Sequence, residues 1–427
     1  MSAFIIEGGH PLKGTVNPMP NKNSIVALIP AAILADEPVT FHNVPKSSSV
    51  RVLLQIFRLL GGKVSYLKGG SIRLNSSAID KYSIPKELAN KERSANMFLA
   101  PLLSRFGKAE MSDMGGCKLG NRPLDTLIQG LTQLGAQVDP DNIFSLTAKE
   151  LNGNPNIWQI EASVTGTEST ILAAVKAKGK TVIYNAAAEP HVQDLCNFLV
   201  SIGAHIDGIG TNRLEVEGVE RLGGGEWTVI PDHIDIGGLI VAAAITGGDI
   251  LIKDAIPQHM KLVLQYFEKI NLQYDIQDKD IHIPADQNLY CKPNVKGDMD
   301  KIIAIAWPMG FPMDLIPQAV VLASMAEGNI RVLNNMYETQ LVFVEDYIKM
   351  NAKVVLADPS RVITFGPSQL KGSILSAPPV LQSAHALAIA ALAAKGITKI
   401  LNADIISRRY PDFVDIFSSL GASVRKE

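Results

Sequence analysis

The chain repeats one short pattern six times, and this repetition constrains its fold more than any single motif does. In each copy, a helix-like segment runs through a small-residue turn into a β-branched strand. The copies are "LGGKV" at 60–64, "LGAQV" at 134–138, "IGAHI" at 202–206, "INLQY" at 270–274, "MNAKV" at 350–354 and "LGASV" at 420–424. Their starts lie 74, 68, 68, 80 and 70 residues apart, so six units of about 71 residues account for the chain.

A second pattern runs in phase with the first and predicts one buried helix per unit. Each unit holds an Ala-rich apolar segment that ends in a turn, such as "STILAAVKAKG" or "LAIAALAAKG". A helix that is apolar on nearly every side must be buried on every side, and glycine just past its end is a common stop signal. The other helical segment of each unit, such as "SVRVLLQIFRLLGG", alternates polar and apolar residues and belongs at a surface.

Together these patterns predict an α/β fold of the inside-out barrel type, with two domains of three units each. Parallel buried helices form the core and the sheets lie outside. We expect one domain at 22–230, carrying the Cys117 loop, and the other at 1–21 plus 231–427, carrying Asp314 and Arg408. The active site is expected in the cleft between them. The glycines of "RLGGGEWTVIPD" (221–232) suit a crossing between domains, and the opening strand (3–7) could pair with either half.

Composition excludes several classes of protein. Apolar residues make up 47% of the chain and charged residues 19%, which favours a folded globular protein, and a net charge of -2 argues against nucleic-acid binding. No apolar run reaches the roughly 18–20 residues of a membrane span, and "MSAFIIEGGH" does not resemble a signal peptide. Three widely spaced cysteines argue for a reducing compartment and against a disulfide framework or a metal site, so we expect a cytoplasmic protein.

Polar residues immediately before each buried helix are the first candidates for chemistry. Parallel helices present their unpaired N–H groups and partial positive charge on one surface, which favours an anionic ligand there. The residues at these positions are Lys22, Asn23, Arg93, Ser163, Thr167, Asp232 and Asp314.

Two interpretations of these positions are open. Ser24, Ser163 and Asp232 are residue types that cap helices, and capping alone would explain them. Lys22 and Arg93 fit that interpretation poorly, because a cation at a helix N-terminus opposes the helix dipole. A shared anionic ligand would account for the presence of Lys22 and Arg93 at these positions.

Cys117 lies in a glycine-rich basic segment, "DMGGCKLGNRPLD" (113–125), that does not resemble a core. A free cysteine is usually a small buried hydrophobe, which is the interpretation we give Cys196 in "DLCNFL". The nearby Lys118 and Arg122 would instead lower the pKa of the Cys117 thiol and favour the reactive thiolate. No metal-ligand spacing is present, and "GIG" (208–210) is too short to indicate a dinucleotide site, so no cofactor or metal is expected.

Several of these segments resemble the enolpyruvyl transferases, whose fold is a sixfold inside-out repeat, along essentially the full chain. The Lys22-Asn23 pair in "NKNS" and the segments "SVTGTES", "NAAAEP", "GVERLGGG", "VIPDHID" and "FPMD" are similar to the family pattern. "GGCKLGNRPLD" resembles a loop of the branch that acts on UDP-N-acetylglucosamine, and the shikimate branch lacks that loop.

The resemblance implies transfer of the enolpyruvyl group of phosphoenolpyruvate to the 3'-hydroxyl of UDP-N-acetylglucosamine, with release of phosphate. It also implies a role at the first committed step of peptidoglycan synthesis, and hence in cell shape and cell division. The expected partners are these two small molecules, without nucleic acid or membrane, and the expected state is a monomer.

The resemblance also implies roles for individual residues. Cys117 would donate the proton to phosphoenolpyruvate and form an adduct with it, and Asp314 would accept the proton of the sugar hydroxyl. Phosphate and carboxylate would be bound by Lys22, Arg122 and Arg408. Domain closure would carry the Cys117 loop onto the substrates. The nucleotide-sugar site would be lined by Asn23, Arg93, Arg122, Pro123, Leu124, Asp125, Thr126, Ser163, Val164, Asp314 and Met336.

Four positions depart from the family pattern. Ser49 and Pro379 stand where the family has acids, and Gln340 and Leu381 stand where it has arginines. Leucine supplies no bidentate anion contact in place of arginine, although Arg408 and Arg409 are candidates to compensate in part. Two alternatives therefore stay open: a diverged enolpyruvyl transferase with another acceptor, and a non-catalytic paralogue that binds a nucleotide sugar.

Overall fold

The computed structural model describes residues 2–111, 124–336 and 339–427. Within these ranges the chain forms short strands and helices in regular alternation. The strands are β1 Ala3–Gly8, β2 Lys13–Val16, β3 Val39–His42, β4 Lys63–Tyr66, β5 Ile72–Asn75, β6 Ser83–Ile84, β7 Lys108–Met111, β8 Gln137–Asp139, β9 Asn142–Thr147, β10 Ile157–Trp158, β11 Lys180–Tyr184, β12 His205–Asp207, β13 Arg213–Glu217, β14 Gly225–Thr228, β15 Asp249–Ile252, β16 Asp275–Gln277, β17 Asp280–Ile283, β18 Lys301–Ala304, β19 Gly328–Asn334, β20 Val354–Asp358, β21 Arg361–Gly366, β22 Ile374–Ser376, β23 Gly396–Leu401 and β24 Ser423–Lys426.

The helices in the same ranges have the following bounds. They are α1 Lys22–Ala31, α2 Ser48–Leu59, α3 Lys86–Ala89, α4 Leu99–Phe106, α5 Asp125–Gln133, α6 Val164–Ala174, α7 Pro190–Ser201, α8 His233–Thr246, α9 Pro257–Phe267, α10 Ile316–Met325, α11 Val344–Lys349, α12 Leu381–Ala393, α13 Asp404–Ser407 and α14 Phe413–Ser419. Short 3-10 segments at 93–98 and 313–315 lead into α4 and towards α10.

The strands form six four-stranded sheets built on one plan. Each sheet has a parallel pair at one edge, followed by two strands in antiparallel pairing. The orders are β14-β3-β5-β4, β6-β7-β9-β8, β10-β11-β13-β12, β2-β15-β17-β16, β18-β19-β21-β20 and β22-β23-β1-β24. The repeats predicted from the sequence are therefore present as six equivalent sheets, and these do not join into one closed barrel among the described strands.

The helices predicted to be buried are α1, α4, α6, α8, α10 and α12. Most residues of all six helices are buried. In α4 the last turn is less buried than the rest, and Arg105 there is exposed. The helices that alternate polar and apolar residues, such as α2 and α9, expose one face. The predicted fold class, with helices inside and sheets outside, is confirmed.

The described chain forms two compact units. We name them after one candidate residue each: the Lys22 unit holds residues 20–111 and 124–230, and the Asp314 unit holds residues 2–19 and 231–427 apart from 337–338. Three of the six sheets belong to each unit.

Two repeats exchange their edge strands, β2 and β14, relative to the order of the chain. In four repeats the parallel edge strand lies in the chain before the buried helix that leads to its neighbour. By contrast, β2 precedes α1 yet pairs with β15 of the Asp314 unit, and β14 precedes α8 yet pairs with β3 of the Lys22 unit. The opening strand β1 pairs with β23 and β24, which assigns it to the Asp314 unit. No helix in the described ranges is long and apolar enough to cross a membrane.

Candidate active site

The buried helices α8, α10 and α12 of the Asp314 unit begin at the same end of the unit. Gln318, in the first turn of α10, contacts the first turns of α12: its amide lies 3.3 Å from Oε1 of Gln382 and 3.2 Å from Nδ1 of His385. In α8, a Cβ placed on Gly238 would lie 3.0 Å from the His385 ring, so the helices approach closely. The predicted parallel arrangement therefore holds in this unit.

Asp314 lies at this end of the unit, in the 3-10 turn before α10, and is half-buried. Oδ1 of Asp314 accepts a 3.2 Å hydrogen bond from the amide of Gln340. The hydroxyl of Ser383 donates a 2.6 Å hydrogen bond to the backbone carbonyl of Gln340. Gln340, at a position where the resemblance implies arginine, thus gives Asp314 a neutral hydrogen-bond donor that is held by Ser383 at the start of α12.

A buried ion pair lies at the start of α8. Nη2 of Arg409 donates a 2.6 Å hydrogen bond to Oδ2 of Asp232, and the two side chains are 7% and 2% exposed. Oδ1 of Asp232 accepts from the backbone N–H of Ile234 at 3.0 Å, so Asp232 is also the N-cap of α8. Capping was one of the two interpretations left open for Asp232, and the ion pair adds a second role that the sequence did not indicate.

Burial shifts the pKa of other groups around this pair. Burial raises the pKa of Asp235 to about 7, against the stabilising hydrogen bond from the backbone of Met19. Burial, reinforced by the charge of Arg409, lowers the pKa of His385 to about 3. The His385 ring is therefore neutral near pH 7, and it stacks on Tyr410 with 3.9 Å between the ring centroids.

In the Lys22 unit, the cap of α1 is Asn21. Its Oδ1 accepts from the backbone N–H groups of Asn23 at 2.9 Å and Ser24 at 3.1 Å. The interpretation of Ser24 as an N-cap is therefore wrong: Ser24 lies inside the first turn and is fully buried. Lys22 and Asn23 are half-buried in that turn.

Ser163 is the N-cap of α6, with its hydroxyl 3.2 Å from the N–H of Gly166. Thr126, on α5, lies directly against this turn, and a Cβ placed on Gly166 would be 2.7 Å from its methyl group. The Thr126 hydroxyl is also 3.5 Å from the carboxylate of Glu161. The structure thus brings two predicted sugar-site residues, Thr126 and Ser163, to one place, and Val164 follows at the first position of α6. Thr167, buried one turn further on, donates a 2.7 Å hydrogen bond to Gln159.

The remaining predicted site residues differ in their exposure and in the elements that carry them. Arg93 begins the 3-10 segment that Glu92 caps, and it is half-buried. Met336 and Arg408 are exposed. Leu124 is the half-buried N-cap residue of α5, and Asp125 is exposed in its first turn. Cys117, Arg122 and Pro123 lie outside the described residues.

The other departures from the family pattern have ordinary structural settings. Ser49 is buried in the first turn of α2, whose N-cap is Ser47. Leu381 is the half-buried first residue of α12, which has no side-chain cap. Pro379 is exposed two residues earlier.

The two cysteines in the described ranges are poor nucleophiles. Cys196 is buried on α7, as predicted, and burial raises the pKa of its thiol. Burial likewise raises the pKa of Cys291 to about 11. Both thiols are therefore protonated near pH 7, the less reactive form.

Sequence reasoning missed two buried carboxyl groups, one on the apolar helix α6 and one on α7. Burial, with the neighbouring Glu189, raises the pKa of Glu168 on α6 well above its usual range. Burial raises the pKa of Asp194 on α7 to about 6, although Trp227 donates a hydrogen bond to it. For Glu168 the signal was present in the sequence, since an ionisable side chain inside an all-apolar segment must be buried with its helix.

One cavity, of about 460 Å³, lies at the opposite end of the Lys22 unit and is not the candidate site. It adjoins the C-terminal ends of α1, α4 and α6, where carbonyl groups rather than N–H groups point outwards. Arg105 and Lys176 in its wall donate hydrogen bonds to the carbonyls of Ile33 and Glu220. None of the predicted site residues lines it.

Comparison with known proteins assigns the family. The EPSP synthase (3-phosphoshikimate 1-carboxyvinyltransferase) model matches residues 6–417. The chain is 39% identical to UDP-N-acetylglucosamine 1-carboxyvinyltransferase of Treponema denticola, over 99% of each chain, and 40% identical to the protein of that name from Borreliella burgdorferi, over 100% of this chain and 99% of the other.

Solved structures of enolpyruvyl transferases have the same fold. The enolpyruvyl transferase NikO from Streptomyces tendae superposes with a TM-score of 0.86 at 22% identity, over 100% of this chain and 98% of NikO. EPSP synthase from Acinetobacter baumannii gives a TM-score of 0.76 at 18% identity, over the full length of both chains. The fold is thus that of the enolpyruvyl transferases. On the family match and the full-length relatives, the chain belongs to the EPSP synthase family of carboxyvinyltransferases.

Proposed function

We propose that this protein transfers the enolpyruvyl group of phosphoenolpyruvate to the 3'-hydroxyl of UDP-N-acetylglucosamine and releases phosphate. The observation that carries the proposal is the identity of 35–40% over at least 99% of the chain with relatives that bear the name of this activity. This reaction would place the protein at the first committed step of peptidoglycan synthesis, in the cytoplasm.

The reaction consists of an addition followed by an elimination. The Cys117 thiol gives a proton to the methylene carbon of phosphoenolpyruvate, which leaves a cation-like carbon at C2. The sugar hydroxyl oxygen bonds to C2 while its proton passes to the Asp314 carboxylate. The C2–O bond to phosphate then breaks with its electron pair on phosphate, and the new methyl group returns a proton to the Cys117 thiolate, which gives the enol ether. Positioned acids and bases of this kind contribute roughly 10²–10⁴ in rate.

The setting of Asp314 supports its role as the base. It is half-buried, its Oδ1 is oriented by Gln340, and its Oδ2 accepts no hydrogen bond from any residue in the described ranges. A carboxylate held by one oxygen with the other free can take a proton from a bound hydroxyl.

Cationic residues from both units would hold phosphoenolpyruvate. Lys22 is half-buried at the start of α1, Arg408 is exposed next to α13, and Arg122 belongs to the Cys117 segment. Charge-assisted hydrogen bonds from such groups suit a phosphate and a carboxylate on one ligand. That the two units share one site remains a prediction.

A second candidate is enolpyruvyl transfer to a different hydroxyl acceptor. The observation that favours it is the neutral contact of Gln340 with Asp314, together with the half-buried Leu381 at the start of α12. The family pattern has arginine at both positions, so the charge available to an anionic acceptor is reduced here.

The test measures phosphate release from phosphoenolpyruvate with UDP-N-acetylglucosamine and identifies the enolpyruvyl product by mass spectrometry. We expect product with the wild type, an adduct on Cys117, and neither with Cys117→Ser. Cys196→Ser, which alters a buried thiol on α7, is the matched control and should behave as the wild type. Phosphate release only with other sugar-nucleotide acceptors would favour the second candidate. Binding of UDP-N-acetylglucosamine with no phosphate release under any condition would contradict both and indicate a non-catalytic protein.

A further inference from the structure

The segment 404–410 presents two adjacent arginines in opposite environments. Arg408, which follows α13, is exposed, and its guanidinium makes no hydrogen bond or ion pair with any residue of the described chain. Arg409 is buried, and its guanidinium pairs with Asp232. One arginine is therefore available to a ligand while its neighbour is fixed inside the unit.

The beginning of this segment is held by Asp404. Its carboxylate accepts hydrogen bonds from the backbone N–H and the hydroxyl of Ser2, and Lys426 lies 3.4 Å away. These donors lower the pKa of Asp404 to about 2.

The end of the segment is held by Arg409 and Tyr410. The Tyr410 hydroxyl donates a 3.2 Å hydrogen bond to Gln382, and its ring stacks on His385. Both partners lie in the first two turns of α12. The pairing of Arg409 with Asp232 ties the same end to the start of α8.

Asp232 is a rigid anchor because both of its carboxylate oxygens and its backbone are engaged. Oδ1 caps α8, Oδ2 binds Arg409, and the N–H donates a 2.7 Å hydrogen bond to the carbonyl of Met19. Burial alone would lower the pKa of Arg409, but the charge and hydrogen bond of Asp232, together with Tyr410 and Asp314, raise it, so the guanidinium stays charged. Loss of the partner of a buried arginine is strongly destabilising. The pair therefore restricts the position of the backbone at Arg409.

We infer that Arg409 is a positioning residue: through its buried pair with Asp232 it fixes the place of the exposed Arg408 guanidinium, which binds the anionic groups of phosphoenolpyruvate. This inference rests on the proposed function for the role of Arg408. Arg409 itself does not touch the substrate and acts through its neighbour.

A double-mutant cycle on Arg408→Gln and Arg409→Met tests the inference, with KM for phosphoenolpyruvate as the readout. We expect each single variant to raise this KM by about tenfold, as for the loss of roughly 1.4 kcal/mol of binding, and to leave KM for the nucleotide sugar unchanged. Since Arg409 acts through Arg408, the double variant should be no worse than Arg408→Gln alone. Additive effects of the two substitutions would overturn the inference.

Two further variants separate positioning from stability. Arg409→Met combined with Asp232→Asn removes both buried charges, so it should regain thermal stability while KM for phosphoenolpyruvate stays raised. Arg409→Lys retains the charge pair and should recover part of the wild-type KM. Recovery of KM together with stability in the double neutral variant would show that Arg409 matters only for folding.

The control is Arg361→Met, which removes another arginine–aspartate pair, with Asp358, from the same unit. Arg361 is exposed and Asp358 is half-buried, and loss of this surface pair should leave KM for phosphoenolpyruvate unchanged. If the wild type proves inactive with UDP-N-acetylglucosamine, the proposed function fails separately, and the same cycle is measured as phosphoenolpyruvate affinity by calorimetry. A wild type that binds no phosphoenolpyruvate overturns this inference as well.

Discussion

The side-chain amide of Gln340 donates a 3.2 Å hydrogen bond to Oδ1 of Asp314, and the carbonyl of Gln340 is held in turn by Ser383 of α12. The orientation of the candidate base thus depends on a neutral, buried side chain anchored to a neighbouring helix. A glutamine fixes the direction of a carboxylate without adding the charge that an arginine would bring.

Replacement of Gln340 by leucine should reduce turnover while the base itself remains. A hydrogen bond to a charged group contributes about 1.5–3 kcal/mol, so we expect kcat for phosphate release to fall roughly 10- to 100-fold. Asp314→Asn should cost more, about 10²–10⁴ in kcat. Initial rates of phosphate release measure both effects.

The matched control is Gln273→Leu, since Gln273 is an exposed glutamine of the same unit that contacts Asn271 and Gln287. It should keep the wild-type kcat. Wild-type turnover in Gln340→Leu would argue that Asp314 needs no support from this amide.

Gly166→Ala should disturb the contact between α5 and α6. A Cβ there would lie 2.7 Å from Cγ2 of Thr126 and 3.2 Å from Cβ of Ser163, so one of them must move. Overpacking of this kind costs about 1–3 kcal/mol, which outweighs the roughly 0.5–1 kcal/mol that alanine gains over glycine in a helix. Urea unfolding should show a net loss of stability, and affinity for the nucleotide sugar should fall.

A second substitution distinguishes the steric cause from others. Thr126→Ser removes the clashing methyl group and keeps the hydroxyl, so Gly166→Ala combined with Thr126→Ser should recover most of the lost stability. Gly223→Ala, where a Cβ would meet only Ile202 O at 3.5 Å, is the control and should be nearly neutral. If the double variant recovers no stability, the Thr126 contact is ruled out as the cause of the loss.

Much of the fold was predictable because its signals are local. The turn at 60–64 and its five counterparts, and the apolar helices such as α8, depend on residues close in sequence. The exchange of β2 and β14 was not predictable in the same way, since a strand's partner across a sheet edge is set by long-range packing. The sequence accordingly left the pairing of β1 open, and the structure assigns it to β23 and β24.

The candidate site was predictable only in its outline. The polar positions before each buried helix led to Ser163, Asp232 and Asp314, because helix periodicity fixes where a helix starts. The choice of Asn21 over Ser24 as the cap of α1 depends on backbone geometry that sequence does not specify. The pairing of Arg409 with Asp232 joins residues 177 positions apart and could not be inferred from spacing.

Trp227→Phe should weaken the attachment of the exchanged strand β14. The indole Nε1 of Trp227 donates a 3.0 Å hydrogen bond to Asp194, and its ring packs against Phe198. Phenylalanine keeps part of the packing but leaves a buried carboxylate short of a donor, at a cost of about 1–3 kcal/mol. Denaturant unfolding measures the loss, and Asp194→Asn in the same chain should relieve part of it.

The exposed Trp158 of the same unit provides the control for that substitution. Its indole donates to Asn156, its ring stacks on Tyr184, and its side chain is 58% exposed. Trp158→Phe should change the stability little. An equal loss in the two variants would mean that the Asp194 contact contributes nothing specific.

Asp235 should make the protein less stable as pH rises towards neutrality. Burial raises the pKa of its carboxyl from 3.8 to about 7 in the folded state. A folded-state pKa above the unfolded value stabilises the protonated form, so the contribution is complete below pH 3.8 and is lost as pH rises through 7. The slope of the unfolding free energy from this group is at most about 1.4 kcal/mol per pH unit within that window.

Asp235→Asn tests this prediction, because an amide does not ionise and its oxygen can still accept the hydrogen bond from the N–H of Met19. Urea unfolding at several pH values should show the variant gaining stability relative to the wild type between pH 4 and 7, with no further gain above. Asp249→Asn provides a contrast outside this window: His282 lowers the pKa of Asp249, so its carboxylate stabilises the wild type above pH 3.8, and that contribution is lost only as pH falls below this value. Parallel wild-type and Asp235→Asn profiles across this range would mean that Asp235 is already ionised in the folded protein at pH 4.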